Sequence, residues 1–157
     1  MVATNSQQKL YATRLDIPED IRAQVIELLN QTLAAVLDLK TQAKQAHWNV
    51  KGMNFLQLHE LFDAMAIELE GFVDLVAERV TTLGGVAMGT ARIASQNSLL
   101  AEYDLSAVSG QEHVGALADR YAVLARHLRE AIASTDQLGD ADTSDLYTEL
   151  SLSLIHI

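Results

Sequence analysis

Two pairs of potential metal ligands stand close together in this chain: His59 with Asp63, and Asp74 with Glu78. Each pair is spaced i, i+4, which on a helix puts its members one turn apart on one face, near enough to share an ion. At ~100° per residue all four fall within a sector of roughly 100°, beside an apolar stripe of Leu58, Phe62, Met65, Leu69, Val73, Val76 and Val80. A ligand face and a core face are therefore distinct. Asp63 and Asp74 are separated by ~16 Å of helix rise, too far to ligate a common ion. One chain cannot close such a site, but two can. The pairs His59/Glu78 and Asp63/Asp74 share a midpoint between Glu68 and Leu69. A two-fold antiparallel pairing of this helix with its copy sets His59 and Asp63 of one chain against Glu78 and Asp74 of the other, and makes two equivalent sites. Ala66 and Gly71 share the same midpoint, and small residues facing each other would let the backbones approach. His47, upstream, could add a fifth ligand. Imidazole and carboxylate without thiolate suit iron, manganese, cobalt or zinc better than calcium or magnesium. Carboxylates at i, i+4 are also what an ordinary solvated helix face carries, and spacing alone leaves that reading open. A di-iron centre inside a single bundle is a different matter: it needs Glu-x-x-His on two helices, and the chain contains no Glu-x-x-His.

The elements that would position these residues read as helices. The first starts at Pro18, with Glu19 and Asp20 in its first turn, carries Ile21, Val25, Leu28, Leu29, Leu33, Val36 and Leu37, and reaches about His47. The second follows Asn54, read as a cap with Gln57 reaching back, and ends at Leu83 before Gly84 and Gly85. The third follows Ser109, with Glu112 completing a capping box, and keeps Val114, Leu117, Tyr121, Leu124, Leu128 and Ile132 on one face. A fourth opens around Asp142 and Thr143. The connection between the second and third is long for a structureless loop, so a short helix is expected around Ala91 to Ser98. Four helices with two short connections and one long crossover describe the ferritin-like version of the all-α four-helix bundle. Residues 1–17 read as a flexible tail and 18–157 as one domain, since 157 residues are enough for one core and too few for two comfortable ones. With 21 acidic against 11 basic residues the net charge is −10, which disfavours general nucleic-acid binding. The absence of Cys removes thiolate chemistry and is compatible with a reducing compartment. No run approaches ~20 apolar residues and the polar start does not look like a secretory signal, so the expected address is the cytoplasm, not a membrane.

The segments HWNVKG (His47 to Gly52), Phe55, LH (Leu58, His59), FD (Phe62, Asp63) and DLVAER (Asp74 to Arg79) resemble the Dps mini-ferritins. The likeness extends over LGG (Leu83 to Gly85), ALADRYA (Ala116 to Ala122) and GDADTSDLYTE (Gly139 to Glu149). It implies a hollow homo-dodecamer that binds Fe(II) between two-fold mates, oxidises it as a ferroxidase, preferably with hydrogen peroxide, stores ferric mineral and so protects DNA. The implied ligands are His47, His59 and Asp63 from one subunit with Asp74 and Glu78 from its mate. In similar proteins an acidic region lines three-fold pores, which makes Asp140, Asp145 and Glu149 candidates for guiding cations, beside their plainer reading as helix-capping and dipole-compensating acids.

Two features depart from the family pattern. The tail has only Lys9 and Arg14 where a Lys-rich one often binds DNA, so direct DNA binding is expected to be weak or absent, with nucleoid association left open. From Leu150 onward the sequence alternates with period two, so the fourth helix is expected to be short or altered there, at about 10 to 15 residues. Trp48 is read as packing at the dimer seam, His113 and His127 as surface or capping residues, and His156 as incidental. The rival readings are a non-enzymatic nucleoid or stress scaffold, and the same site holding zinc or manganese.

Overall fold

The computed structural model describes residues 9–154; His156 lies outside them. Five helices succeed one another: α1 Glu19–Asn49, α2 Phe55–Thr82, α3 Ala91–Asn97, α4 Gly110–Gln137 and α5 Ala141–Ser153. α1, α2, α4 and α5 form the bundle. α1 packs along α2 and also touches α4, α5 lies against α4, and α3 rests on α1 within the crossover from α2 to α4. Among the described residues the only extended pairing is a single bridge between Lys51 and Ser109, tying the α1–α2 turn to the start of α4.

The core follows the helical stripes. Leu29, Leu33 and Leu39 of α1, Phe62 and Leu69 of α2, Leu117, Leu124 and Leu128 of α4, and Tyr147 and Leu150 of α5 are essentially inaccessible. Each such side chain contributes roughly 1.5–3 kcal/mol by leaving water. Ala34, Ala35, Ala43 and Ala46 are buried on α1, and their small size lets neighbouring helices come close. Val114, expected on the core stripe of α4, is instead 43% exposed, while the adjacent His113 takes the buried place at 1%.

Both long helices that end in glycine close in the same way. After α2, Gly84 adopts φ +87°, its N–H returns to Thr81, and the N–H of Gly85 returns to Val80. After α4, Gly139 adopts φ +78°, with Gly139 bonded to Asp136 and Asp140 to Thr135. These are Schellman closures, in which a left-handed glycine lets two orphan carbonyls be satisfied. The Ser109–Glu112 capping box forms as its sequence predicts. Asn54 does not cap α2 with its side chain. Its φ and ψ of −99° and 23° lie outside the extended region a capping residue uses.

Residues 9–17 are an anchored strap rather than a free tail. The Tyr11 N–H donates to the Gly84 carbonyl at 2.8 Å, and the buried Arg22 guanidinium donates to the carbonyls of Leu83, Tyr11 and Ile17. A β-carbon on Gly84 would lie 2.5 Å from the Tyr11 carbonyl oxygen, so this position needs glycine twice over. At the other end α5 is short, as expected, at 13 residues, but Leu150 to Leu154 is helical rather than strand-like. The alternating leucines conceal an i, i+4 pair: Leu150 and Leu154 are buried while Leu152 is 61% exposed.

Candidate functional site

The end of α1 and the start of α2 bring His47 and His59 face to face. Their rings stack with centroids 3.7 Å apart. Nδ1 of His47 donates to the His59 carbonyl at 2.7 Å, and Nδ1 of His59 donates to the His47 carbonyl at 2.8 Å. A carbonyl can only accept, so both Nδ1 atoms must carry hydrogen. That fixes the tautomer of each ring and leaves each Nε2 lone pair free, the arrangement a metal-binding imidazole requires. Phe55 packs against the His59 ring at 5.0 Å and completes the cradle.

Asp63 stands one turn beyond His59, half-exposed. Its Oδ1 accepts from the Lys44 ammonium at 2.6 Å, and that bond holds its carboxyl below the usual carboxylate range. Lys44 is absent from the reading of the sequence. Its position three residues before His47, on the same face of α1, was the available signal. A second lysine on that face, Lys40, pairs with Glu70 of α2.

Asp74 and Glu78 lie toward the other end of α2, exposed and without a hydrogen-bond or ion-pair partner for their carboxylates among the described residues. Within one chain, no three His, Asp or Glu side chains among the described residues gather into a metal-holding group. Ile67, 68% exposed, sits on the same strip of α2 between the two pairs. Ala66 does not: it is 4% exposed and belongs to the subunit's own core, so it cannot face Gly71 of a second copy across a two-fold axis. The midpoint rule places it by position along the helix and is blind to angle around it. Gly71, by contrast, is exposed, with nothing near the place its β-carbon would occupy. Trp48 is 66% exposed beside Lys44, whose ammonium lies 5.8 Å from the ring centroid.

Of the three acids considered for a pore, Asp140 is ruled out by its surroundings. It is 1% exposed, its Oδ1 accepts from Arg79 at 2.6 Å and from the Thr143 N–H, and its Oδ2 accepts from the Thr143 hydroxyl. It caps α5 and neutralises Arg79. Asp145 and Glu149 are exposed.

His113 and His127 are not surface groups. His113 is 1% exposed and its Nδ1 meets the Tyr103 hydroxyl at 2.7 Å. His127, half-buried, meets the Thr32 hydroxyl at 2.8 Å, and that hydroxyl also meets Tyr147. Burial pushes both imidazoles below their ordinary value. Their partners come from the crossover, α1 and α5, so no spacing within α4 could reveal them.

The sequence pattern of the ferritin-like domain matches residues 26–154. With the bundle and its long crossover, this places the chain among the ferritin-like proteins. The chain is 39% identical to the DNA protection during starvation protein of Agrobacterium fabrum, over 93% of its own length and 90% of that relative's. Mycobacterium smegmatis Dps superposes with a TM-score of 0.89 at 28% identity, over 94% of this chain and 89% of that one. DpsA14 of Streptomyces coelicolor does so with a TM-score of 0.89 at 29% identity, over 95% and 88%. The chain belongs to the Dps family. No helix among the described residues is long and apolar enough to cross a membrane.

Proposed function

We propose that this protein is a ferroxidase that takes Fe(II) as substrate at sites shared between two-fold related subunits. It uses hydrogen peroxide as the preferred oxidant and stores the ferric product inside a homo-dodecameric shell in the cytoplasm. The observation that carries this reading is the reciprocal pair of bonds between His47 and His59, which leaves two Nε2 lone pairs unpartnered beside Asp63. Asp74 and Glu78 carry free carboxylates ~16 Å along the same helix, where only a second copy can bring them to the imidazoles.

The donor set suits the chemistry. The two imidazoles retain affinity for Fe(II), while Asp63 and the partner's Asp74 and Glu78 stabilise Fe(III) more than Fe(II), so the protein lowers the cost of oxidation. The Nδ1 bonds to carbonyls make each imidazole a better donor and hold its ring in place. Lys44 balances the charge of Asp63 until a metal cation replaces it. Two Fe(II) deliver two electrons to one peroxide, which is reduced to water without release of hydroxyl radical. Iron and peroxide are removed together, and DNA is spared without being bound. Asp145 and Glu149 are the exposed acids available to draw cations toward a three-fold axis.

The test is anaerobic addition of Fe(II) followed by peroxide, reading ferric absorbance and trapped hydroxyl radical in the parent and in a His59→Ala, Asp63→Ala variant of confirmed size. Fast oxidation with little trapped radical, lost in the variant, is the expected result. Equal behaviour of parent, variant and buffer would refute the ferroxidase.

A further inference from the structure

The first turn of α4 supplies no ligand, yet it touches both elements that carry the two imidazoles. The Lys51 N–H, two residues beyond α1, donates to the Val108 carbonyl at 3.0 Å. The buried His113 ring meets Phe62 edge-on at 6.3 Å, and Phe62 lies between His59 and Asp63 in α2. Leu58, the residue before His59, packs against Gly110, the first residue of α4.

That last contact explains a glycine the backbone does not need. Gly110 is not among the glycines with positive φ, so its conformation is open to other residues, and glycine is a poor helix former. What it provides is room. A β-carbon here would lie 2.3 Å from Leu58 Cδ1 and 3.8 Å from Leu58 Cγ. The obstruction is one methyl group, which must retreat by about 1 Å to reach ordinary contact at 3.4–4 Å. The reciprocal Nδ1 bonds of His47 and His59, at 2.7 and 2.8 Å, have no such slack. Lengthened by about 1 Å, neither would remain a hydrogen bond.

The two sides of the contact differ in stiffness. At this end α4 is fixed: Ser109 and Glu112 form a capping box, and Glu112 also accepts from the Val108 N–H. His113, 1% exposed, is held at Nδ1 by the Tyr103 hydroxyl. By contrast α2 starts without a side-chain cap, and Leu58 is partly buried against the core. Crowding at Gly110 is thus relieved on the α2 side, one residue from His59.

We propose that Gly110 is a positioning residue for the iron site; this rests on the ferroxidase reading. By leaving space for Leu58 it sets how closely the start of α2 approaches the end of α1. That approach fixes the geometry in which His47 and His59 exchange hydrogen bonds and present their Nε2 atoms. Gly110 acts through Leu58 and touches neither metal nor oxidant. Because only Cδ1 collides, shortening Leu58 to valine, which keeps an atom at the Cγ position, makes room for a β-carbon on residue 110.

The test compares the full-length parent with Gly110→Ala, Leu58→Val and the double variant, each of confirmed size. It reads Co(II) affinity from visible absorption, the urea midpoint, and the His47–His59 geometry in crystals of the metal-free proteins. Gly110→Ala should open the 3.7 Å ring stack and weaken Co(II) binding roughly ten-fold, the scale of losing an outer partner of a ligand imidazole. Its urea midpoint should hold or rise, because alanine is the better helix former. Leu58→Val alone should change little, and the double variant should regain the parent's stack and affinity. A fall of affinity and midpoint together would mark a merely structural role and overturn the proposal. So would a double variant no better than Gly110→Ala, or a Leu58 methyl that turns into the open cleft beside Asn54 and Val114 with stack and affinity unchanged. Iron oxidation by the same samples separates this from the ferroxidase reading. A parent that fails to oxidise Fe(II), while the ring stack still follows residue 110 and Leu58→Val restores it, would sink the ferroxidase and leave Gly110 setting the imidazole pair. Iron oxidation by the parent, with stack and Co(II) affinity indifferent to residue 110, would do the reverse.

Discussion

Mixing two inactive variants should restore activity, and by a definite amount. In the first variant His59 and Asp63 are replaced by Ala; in the second, Asp74 and Glu78. The two halves lie ~16 Å apart on one helix, so in the proposed arrangement each site draws its halves from different subunits. Either variant alone then carries no intact site. In a dimer with one subunit of each kind, the first supplies Asp74 and Glu78 to the intact His59 and Asp63 of the second, and one of the two sites is whole. Random equal mixing makes half the dimers mixed, so activity should return to about one quarter of the parent's, and to about one half if mixed dimers are isolated by two different tags. The assay is the initial rate of ferric absorbance after peroxide, with subunits exchanged by co-expression and assembly checked by sedimentation. No recovery despite demonstrated exchange would mean that sites are not shared. Full activity in the Asp74→Ala, Glu78→Ala variant alone would mean that those acids are only a solvated face.

Other consequences can be checked on single variants. Lys44→Gln removes the ammonium that occupies Asp63, and titration with Co(II) or Zn(II) in place of Fe(II) should show up to a few-fold tighter binding, the modest size expected of a half-exposed ion pair. Asp140→Ala uncaps α5 and leaves Arg79, only 14% exposed, without its main partner, so urea unfolding should show a loss of about 3 kcal/mol. Burial depresses the His113 and His127 imidazoles in the folded protein, so the unfolded chain binds more protons. Stability should therefore fall as pH drops below about 6.5, and a His113→Gln, His127→Gln variant should show a flatter profile in urea unfolding between pH 7 and 5. The Glu112 carboxylate, held at about 2 by the Ser109 and Val108 N–H groups, adds stability that is full above the usual glutamate range and is lost progressively as pH falls from there toward 2. Gly84→Ala should cost about 1–2 kcal/mol in backbone strain alone and should loosen the strap, read as faster exchange of the Tyr11 amide.

The helices were legible because their signals are local. Apolar periodicity, the Ser109 capping box and glycines after α2 and α4 each act within one or two turns, and the structure uses all of them. The common face of His59, Asp63, Asp74 and Glu78 on α2 was legible for the same reason, since all four stand on one regular element; their role as ligands belongs to the proposal. What escaped depends on contacts between elements. Tyr103 approaches His113 only because the crossover folds over α4, and Asp140 is buried only because Arg79 reaches across from α2. Asn54 misled in another way: a residue type that often caps stands here with φ and ψ of −99° and 23°, outside the extended region from which its side chain reaches the second- and third-residue N–H groups.

The strap also bears on the order in which the chain can finish folding. Tyr11 is made before α1, yet its acceptor is the carbonyl of Gly84, which exists in place only after α1 and α2 have paired and the turn after α2 has closed. Arg22, at the root of α1, must likewise wait for the Leu83 carbonyl. During synthesis the strap, which precedes α1 in the chain, is thus held out of the structure until the α1–α2 hairpin is complete. The strap then works as a latch on that hairpin, closing only after it, and its amide exchange reports whether the hairpin is sound.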